Sequence, residues 1–297
     1  MMASQEKTVL FDETFTDGLD TGRWQVFQGE GFAADDGVAT PTAQGVSIAP
    51  PARDPQTGEP AFTKVLEGFV GNIKWLALAG ESFATDDGEL RFLFRAGARG
   101  FGLERHPYGE AVADPAVDFR LGSATLNVLD FETGLVFDFW ISDGAISVFY
   151  ERLRMPETGH EHEAFTNWLG PIHRSSSAVH DLCIAVNAGA GTVRWEVDGN
   201  EVARIDRIGP SAADWGTVLD HGGAPEQVTP RRLQVGLGMM TLLQGSFPPG
   251  NHGLVDLGQE DDYLGERLGP AKTFQGGPLL FGQGVELAVE RITVERN

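Results

Sequence analysis

The residues of this chain whose types and spacing best suit chemistry are two carboxylates set in apolar runs. Asp138 and Glu151 lie in GLVFDFWISDGAISVFYERL, residues 134–153. A carboxyl held among apolar groups keeps its proton to higher pH than one in water. Two such groups side by side can donate and accept a proton in one reaction, which is what general acid–base catalysis requires. Between them sits Asp143-Gly144, the kind of pair that turns a β-hairpin. Folding about that turn sets Ser142 opposite Ala145, Ile141 opposite Ile146, Trp140 opposite Ser147, Asp138 opposite Phe149 and Val136 opposite Glu151. Side chains alternate between the two faces of a strand. One face then carries Leu135, Phe137, Phe139, Ile141, Ile146, Val148 and Tyr150, with Arg152 at its end. The other carries Val136, Asp138, Trp140, Ser147, Phe149 and Glu151. On that second face Asp138 and Glu151 are diagonal neighbours, roughly 5–8 Å apart between their backbones.

Two readings of the second face stand open. It is a solvated outer surface with two ordinary acids, as antiparallel sheets often present. Or it is the floor of a ligand cavity, with Asp138 and Glu151 as catalytic acid and base and Trp140 and Phe149 as substrate-binding walls. The loop ERHPYGE could bring Arg105, His106 and Tyr108 to such a ligand, His106 being a plausible acid or base near neutrality. The same loop reads equally well as a segment packed by its own Tyr and Pro.

The elements that must position these groups are strands. KTVLFDETFTDGLDTGRWQVF reads as strand, turn, strand, and APPARDPQTGEPAF as a long surface loop. NIKWLALAG and ELRFLFRAGARGFGL are further strands, followed by a loop rich in Pro, Gly and charge. EAFTNWLG predicts a strand after the hairpin, and HDLCIAVNAGAGTVRWEVDGNEVARI predicts three. RRLQVGLGMMTLLQG also reads as a strand, the segment after it as loop, and GVELAVERITVER alternates cleanly as the closing strand. No long amphipathic helix, repeat or linker interrupts the series. The expectation is a single all-β domain over residues 1–297.

Composition excludes some partners. Forty-three acidic against twenty-two basic residues leave a net charge of −21, the wrong sign for nucleic acid or an anionic membrane surface. Cys183 is alone, so it forms no internal disulfide and reads as a small buried hydrophobe in LCIAV. MMASQEKTVLFDE lacks the basic and apolar regions of a signal peptide, and no run has transmembrane length; the expectation is a cytoplasmic protein. His160 and His162 in GHEHEAF, with Glu161 or Glu163, could meet a metal, but two histidines alone rarely specify a site. Asp130 and Glu132 belong either to the rim of the acid-bearing face or to a turn. Nucleophile elbow, P-loop, dinucleotide and zinc-finger patterns are missing, so no cofactor is expected and the partner is a small-molecule substrate.

Three stretches resemble a known architecture. LFDETFTDGLDTGRW resembles the opening strand of concanavalin A-like jelly rolls, among them the family 16 glycoside hydrolases and laminin-G-like domains. HDLCIAVNAGAGTVRWEVDGNEVARI is similar to their strand–turn–strand passage, and VELAVERITVER to their closing strand. DFETGLVFDFWISDGAISVFYERL and MMTLLQG resemble more closely an uncharacterised family of bacterial and fungal proteins of unknown function. The resemblance implies an antiparallel β-sandwich of jelly-roll type with long loops. It gives His180 a structural role, and it implies that DDG, EDD or NAGAG could hold a structural calcium. Those hydrolases place Glu, Asp and Glu at alternate positions of one strand. The comparable strand here, ISVFYERL, offers Ser147, Phe149, Glu151 and Leu153, so only one acid remains and the hydrolytic mechanism does not carry over.

The function expected from these residues is a cofactor-independent enzyme acting on a small, partly apolar metabolite by acid–base chemistry, of isomerase, cyclase or dehydratase type. The alternatives are a carbohydrate-binding or glycoside-hydrolase-like protein and a non-catalytic interaction module.

Overall fold

Apolar residues that alternate over short runs, punctuated by Gly, Pro and Asp, form strands throughout. The computed structural model describes residues 7–29, 32–64, 72–86, 88–154, 158, 161–255 and 278–297. In chain order the strands are β1 (Thr8–Glu13), β2 (Trp24–Val26), β3 (Gln28–Gly29), β4 (Phe32–Ala33), β5 (Val38–Pro41), β6 (Val46–Ala49), β7 (Ile73–Ala84), β8 (Leu90–Phe101) and β9 (Ser123–Asp130). They continue with β10 (Leu135–Ile141), β11 (Ala145–Arg152), β12 (Phe165–His173), β13 (Val179–Asn187), β14 (Thr192–Val197), β15 (Asn200–Ile205), β16 (Gly216–Asp220), β17 (Arg232–Met240) and β18 (Gly284–Arg296). Two short 3₁₀ turns, Leu103–Arg105 and Gly109–Ala111, break the loop before β9. Among the described residues no helix is long and apolar enough to cross a membrane.

Two eight-stranded sheets carry the fold. The first runs β15-β14-β13-β8-β18-β6-β5, with β1 added on β18; the second runs β16-β12-β11-β10-β9-β17-β7-β2. Every strand pairing within each sheet is antiparallel, the expected β-sandwich of jelly-roll type. The core fills the space between the sheets. Phe92, Phe94, Ile184, Trp195 and Ile292 come from the first, and Phe137, Phe139, Leu126, Val148, Tyr150 and Leu237 from the second. Tyr150 stacks on Phe137, with ring centroids 5.9 Å apart, and its hydroxyl accepts the Gly209 amide at 2.6 Å. Cys183 is buried, and burial pushes its thiol up to about 12.

The β10–β11 hairpin has the register its sequence predicts, from Ile141 opposite Ile146 to Val136 opposite Glu151. Its turn uses glycine for a different reason from the usual one. Gly144 does not adopt a left-handed φ; instead the loop before β9 crowds it, and a Cβ there would lie 3.3 Å from the Ala116 side chain. Two longer strands escape the sequence reading. SATLNVLD forms β9, between β10 and β17, and β16 edges the second sheet. Residues 28–49, ahead of the expected long loop, supply four short strands.

Candidate active site

The second sheet has two faces, and the outer one holds the acids. Val136, Asp138 and Trp140 project from β10, and Ser147, Phe149 and Glu151 from β11, opposite in direction to the core residues that alternate with them. β9 adds Thr125 and Asn127, which stand opposite Trp140 and Asp138. β12 adds Thr166 opposite Glu151 and Trp168 opposite Phe149. The next strand, β17, faces Thr125 and Asn127 with Gly238 and Gly236. A Cβ on Gly236 would sit 3.2 Å from that of Asn127, so the bare backbone is what admits the two polar side chains.

A sheet face with this composition would normally be wet, but here it is covered. Asp138 is 2% exposed and Glu151 7%. The cover over one end is aromatic. Phe119 stands edge-on to Phe149 at 5.0 Å, to Trp140 at 6.1 Å and to Phe247 at 4.8 Å, and Phe247 meets Trp168 at 5.2 Å. Val218 and Leu242 complete this cluster. Its anchor is a buried ion pair on either side of Phe119. The Arg120 guanidinium donates to both Asp118 oxygens, at 2.9 and 2.6 Å, and to the Ala111 carbonyl at 3.0 Å. Arg120 also lies over the Phe247 ring, 5.3 Å from its centroid. The other end is closed by Leu129, Val136 and Leu153. The reading of Asp138 and Glu151 as ordinary solvated surface acids is therefore corrected, because loops remote in sequence roof the face that the hairpin alone leaves open.

Within this dry strip the carboxyls interact with each other. Burial first, and the Glu151 charge second, raise the Asp138 carboxyl well above its usual range. Burial likewise pushes Glu151 up to about 7. The two acids are diagonal neighbours in the hairpin register, close enough that the Glu151 charge raises the proton affinity of Asp138. Trp140 Nε1 donates to Asp138 Oδ2 at 3.3 Å, and the Thr166 hydroxyl donates to Glu151 Oε2 at 2.5 Å. Asp138 Oδ1 is buried with no protein donor. Like-charged carboxylates this close in low dielectric do not both ionise near neutrality, so the pair can store and release one proton.

The other expected site residues lie elsewhere. Arg105 pairs with Asp54 at 3.1 Å and donates to the Gly282 carbonyl. His106 stacks on Tyr108 at 6.1 Å. Tyr108 is buried beside Leu103, Val112 and Leu121, and its hydroxyl donates to the Pro278 carbonyl at 2.7 Å. None of the three makes a hydrogen bond or ion pair with Asp138 or Glu151 among the described residues; Arg105 and Tyr108 hold the loop before β9 to the segment before β18, and His106 packs on Tyr108. Asp130 is a turn residue, accepting the Glu132 and Arg231 amides. His180 binds Asp198 at 2.8 Å at the edge of β13. His162 is buried with Nε2 on the Leu153 carbonyl at 3.1 Å; His160 lies outside the described residues, as does the EDD of residues 260–262. Sequence reasoning missed Asn127, Thr125 and Thr166. For the first two, the period-two alternation of β9 was a usable signal. For Phe119 and Phe247 there was none.

The chain matches Family of unknown function (DUF6081) over residues 11–297 and belongs to that family. An uncharacterized protein of Acanthamoeba polyphaga mimivirus is 28% identical over 186 residues, covering 44% of this chain and 43% of that protein. The match thus spans less than half of that curated relative. Among solved structures, the endo-1,3-beta-glucanase from Streptomyces sioyaensis superposes with a TM-score of 0.51 at 14% identity, covering 97% of this chain and 96% of that one. The endo-beta-1,3-glucanase from Pyrococcus furiosus gives 0.50 at 10% identity, covering 98% and 94%. These establish a shared fold. They also correct the expected function. A cofactor-independent isomerase, cyclase or dehydratase acting on a small metabolite finds no counterpart among these neighbours, which are glucanases and agree with the carbohydrate-active alternative.

Proposed function

We propose that this chain is a carbohydrate-active protein that handles a neutral glycan on the outer face of its second sheet, with Asp138 and Glu151 as its proton-handling groups. The observation that carries this is the buried pair of neighbouring carboxyls beside an aromatic cluster, in a fold shared with endo-1,3-β-glucanases. Aromatic rings present apolar faces to the C–H faces of sugars, and carboxyl and amide groups bind their hydroxyls. Both acids are buried, so in this reading the glycan meets the half-buried Trp168 and Phe247 at the margin of the cover, and Glu151, the less buried acid, is the one it reaches. Asp138 lies behind it and supplies or receives the proton. Glycoside cleavage begins by protonating the leaving oxygen, and a carboxyl whose pKa burial has raised to about 7 is still protonated in part at neutral pH.

One observation favours a second reading, glycan binding without cleavage. β11 offers Ser147 and Phe149 where a strand with several catalytic acids would carry more carboxyls. Calorimetric titration with soluble β-1,3-glucan and mixed-linkage β-glucan, alongside a reducing-end assay, separates the readings. Cleavage that Glu151→Gln abolishes while binding persists supports the enzyme. Binding without reducing ends supports the binding protein. Neither binding nor cleavage on any neutral glycan tested overturns the proposal.

A further inference from the structure

The role of the polar strip beyond the two acids can be read from its hydrogen bonds. Asn127 stands directly opposite Asp138 on the neighbouring strand and is 2% exposed. An amide side chain has an acceptor end and a donor end, and in a dry site its orientation must be set by a neighbour. Thr125 does this: its hydroxyl donates to Asn127 Oδ1 at 3.1 Å, and it is fully buried two residues along the same face. With the oxygen occupied, the NH₂ end is the one left for Asp138, its cross-strand partner, where a donor favours the charged carboxyl, as Trp140 does. Gly236 and Gly238 on β17 leave the space this arrangement fills. Asp138 Oδ1 has no protein donor although it is buried. An unpaired carboxyl oxygen in a dry site is costly, and a proton between it and Glu151 removes that cost.

We propose that Asn127, pinned by Thr125, is the positioning residue of the carboxyl pair: it holds the Asp138 carboxyl against Glu151 with one proton between them. The consequence for turnover rests on the glycan reading above; the proton itself does not. Asn127 and Trp140 press Asp138 towards the anion, while Thr166 does the same for Glu151 on the far side. The strands packed on either side contribute neutral groups, namely Thr125 and Asn127 from β9 and Thr166 and Trp168 from β12. The cover adds the Asp118–Arg120 ion pair, whose charges are paired with each other, and the charge that acts on Asp138 is that of Glu151. Donors on both sides keep the proton exchangeable, where a single donor would fix it on one carboxyl.

The test follows the infrared carbonyl band of a protonated carboxyl through a pH titration of the purified protein, with and without Asp138→Asn to assign it. Wild type should keep the band into the neutral range. Asn127→Leu, close in size, removes the NH₂ donor and should raise the midpoint about tenfold or more in proton affinity, the effect of one hydrogen bond to a charge. Thr125→Val frees the amide to turn and should shift it the same way by less, while Thr125→Ser restores the wild-type midpoint. A merely structural role would leave all these midpoints together. An unmoved midpoint in both Asn127→Leu and Thr125→Val, or no band in wild type at neutral pH, overturns the proposal. If the midpoints move as stated in a protein that binds no glycan, the positioning role stands and the glycan reading falls.

Discussion

Removing both acids at once, with Asp138→Asn and Glu151→Gln together, should make this protein more stable in neutral and alkaline solution. An acid whose pKa is higher folded than unfolded binds more protons in the folded state between the two values. Stability therefore falls as pH rises through that window and levels off above it. For Glu151 the window runs from the ordinary 4.5 to about 7. At about 1.4 kcal/mol for each tenfold change in proton affinity, the folded protein loses about 3 kcal/mol across it. Asp138, raised by burial and then by the Glu151 charge, adds to the loss and carries it to higher pH. Other groups tilt the curve the opposite way. Hydrogen bonds from Arg291, Arg105 and Arg152 hold Asp12, Asp54 and Glu226 below their usual range, so these gain stability above their unfolded pKa values. They are common to both proteins and cancel in the difference. The assay is urea unfolding at intervals from pH 4.5 to pH 8.5. The variant should match or fall below wild type at the acid end, where two neutral carboxyls are well accommodated. It should overtake by about 3 kcal/mol or more at the alkaline end. Parallel curves for the two proteins would refute the reasoning, since they would mean that the carboxyls ionise in the folded state as freely as in water.

Three other outcomes test the frame around the pair. Phe139 is fully buried between the sheets, so Phe139→Ala should cost about 3–5 kcal/mol in the same denaturant assay; a loss under about 1 kcal/mol would mean that the two faces of the hairpin are inverted. Tyr150→Phe removes the acceptor of the buried Gly209 amide and should cost about 1–3 kcal/mol, with the spectroscopic signature of the fold unchanged. Asp118→Ala leaves the Arg120 guanidinium buried without its carboxylate and should cost about 3–5 kcal/mol. Because that pair anchors Phe119 over Trp140, the variant's tryptophan emission should also shift to the red, and an unshifted spectrum would show that the aromatic cover does not depend on the pair.

Much of this protein was legible along the chain, for a physical reason. Side-chain direction alternates strictly along a strand, so the spacing of apolar residues in LVFDFWI and AISVFYER determined both the hairpin register and the split between core face and acid-bearing face. The closing strand GVELAVERITVER was readable on the same grounds. β9 was missed although its alternation was present, because Ser123, Thr125 and Asn127 make a polar face that looks solvated, when it is in fact buried in the middle of the sheet. Arg105, His106 and Tyr108 have the right types for a binding loop, yet the partners they reach are Asp54, Gly282 and Pro278, which no local pattern names. What only the tertiary structure decided is the dryness of the acids. Whether a carboxylate on a sheet is an ordinary surface charge or a proton store depends on what lies above it. Here that is Phe119, Phe247 and their neighbours, carried in by loops whose position is set by long-range packing. Local spacing specifies which way a side chain points; desolvation, which sets its pKa, is a property of everything the fold brings within reach of it.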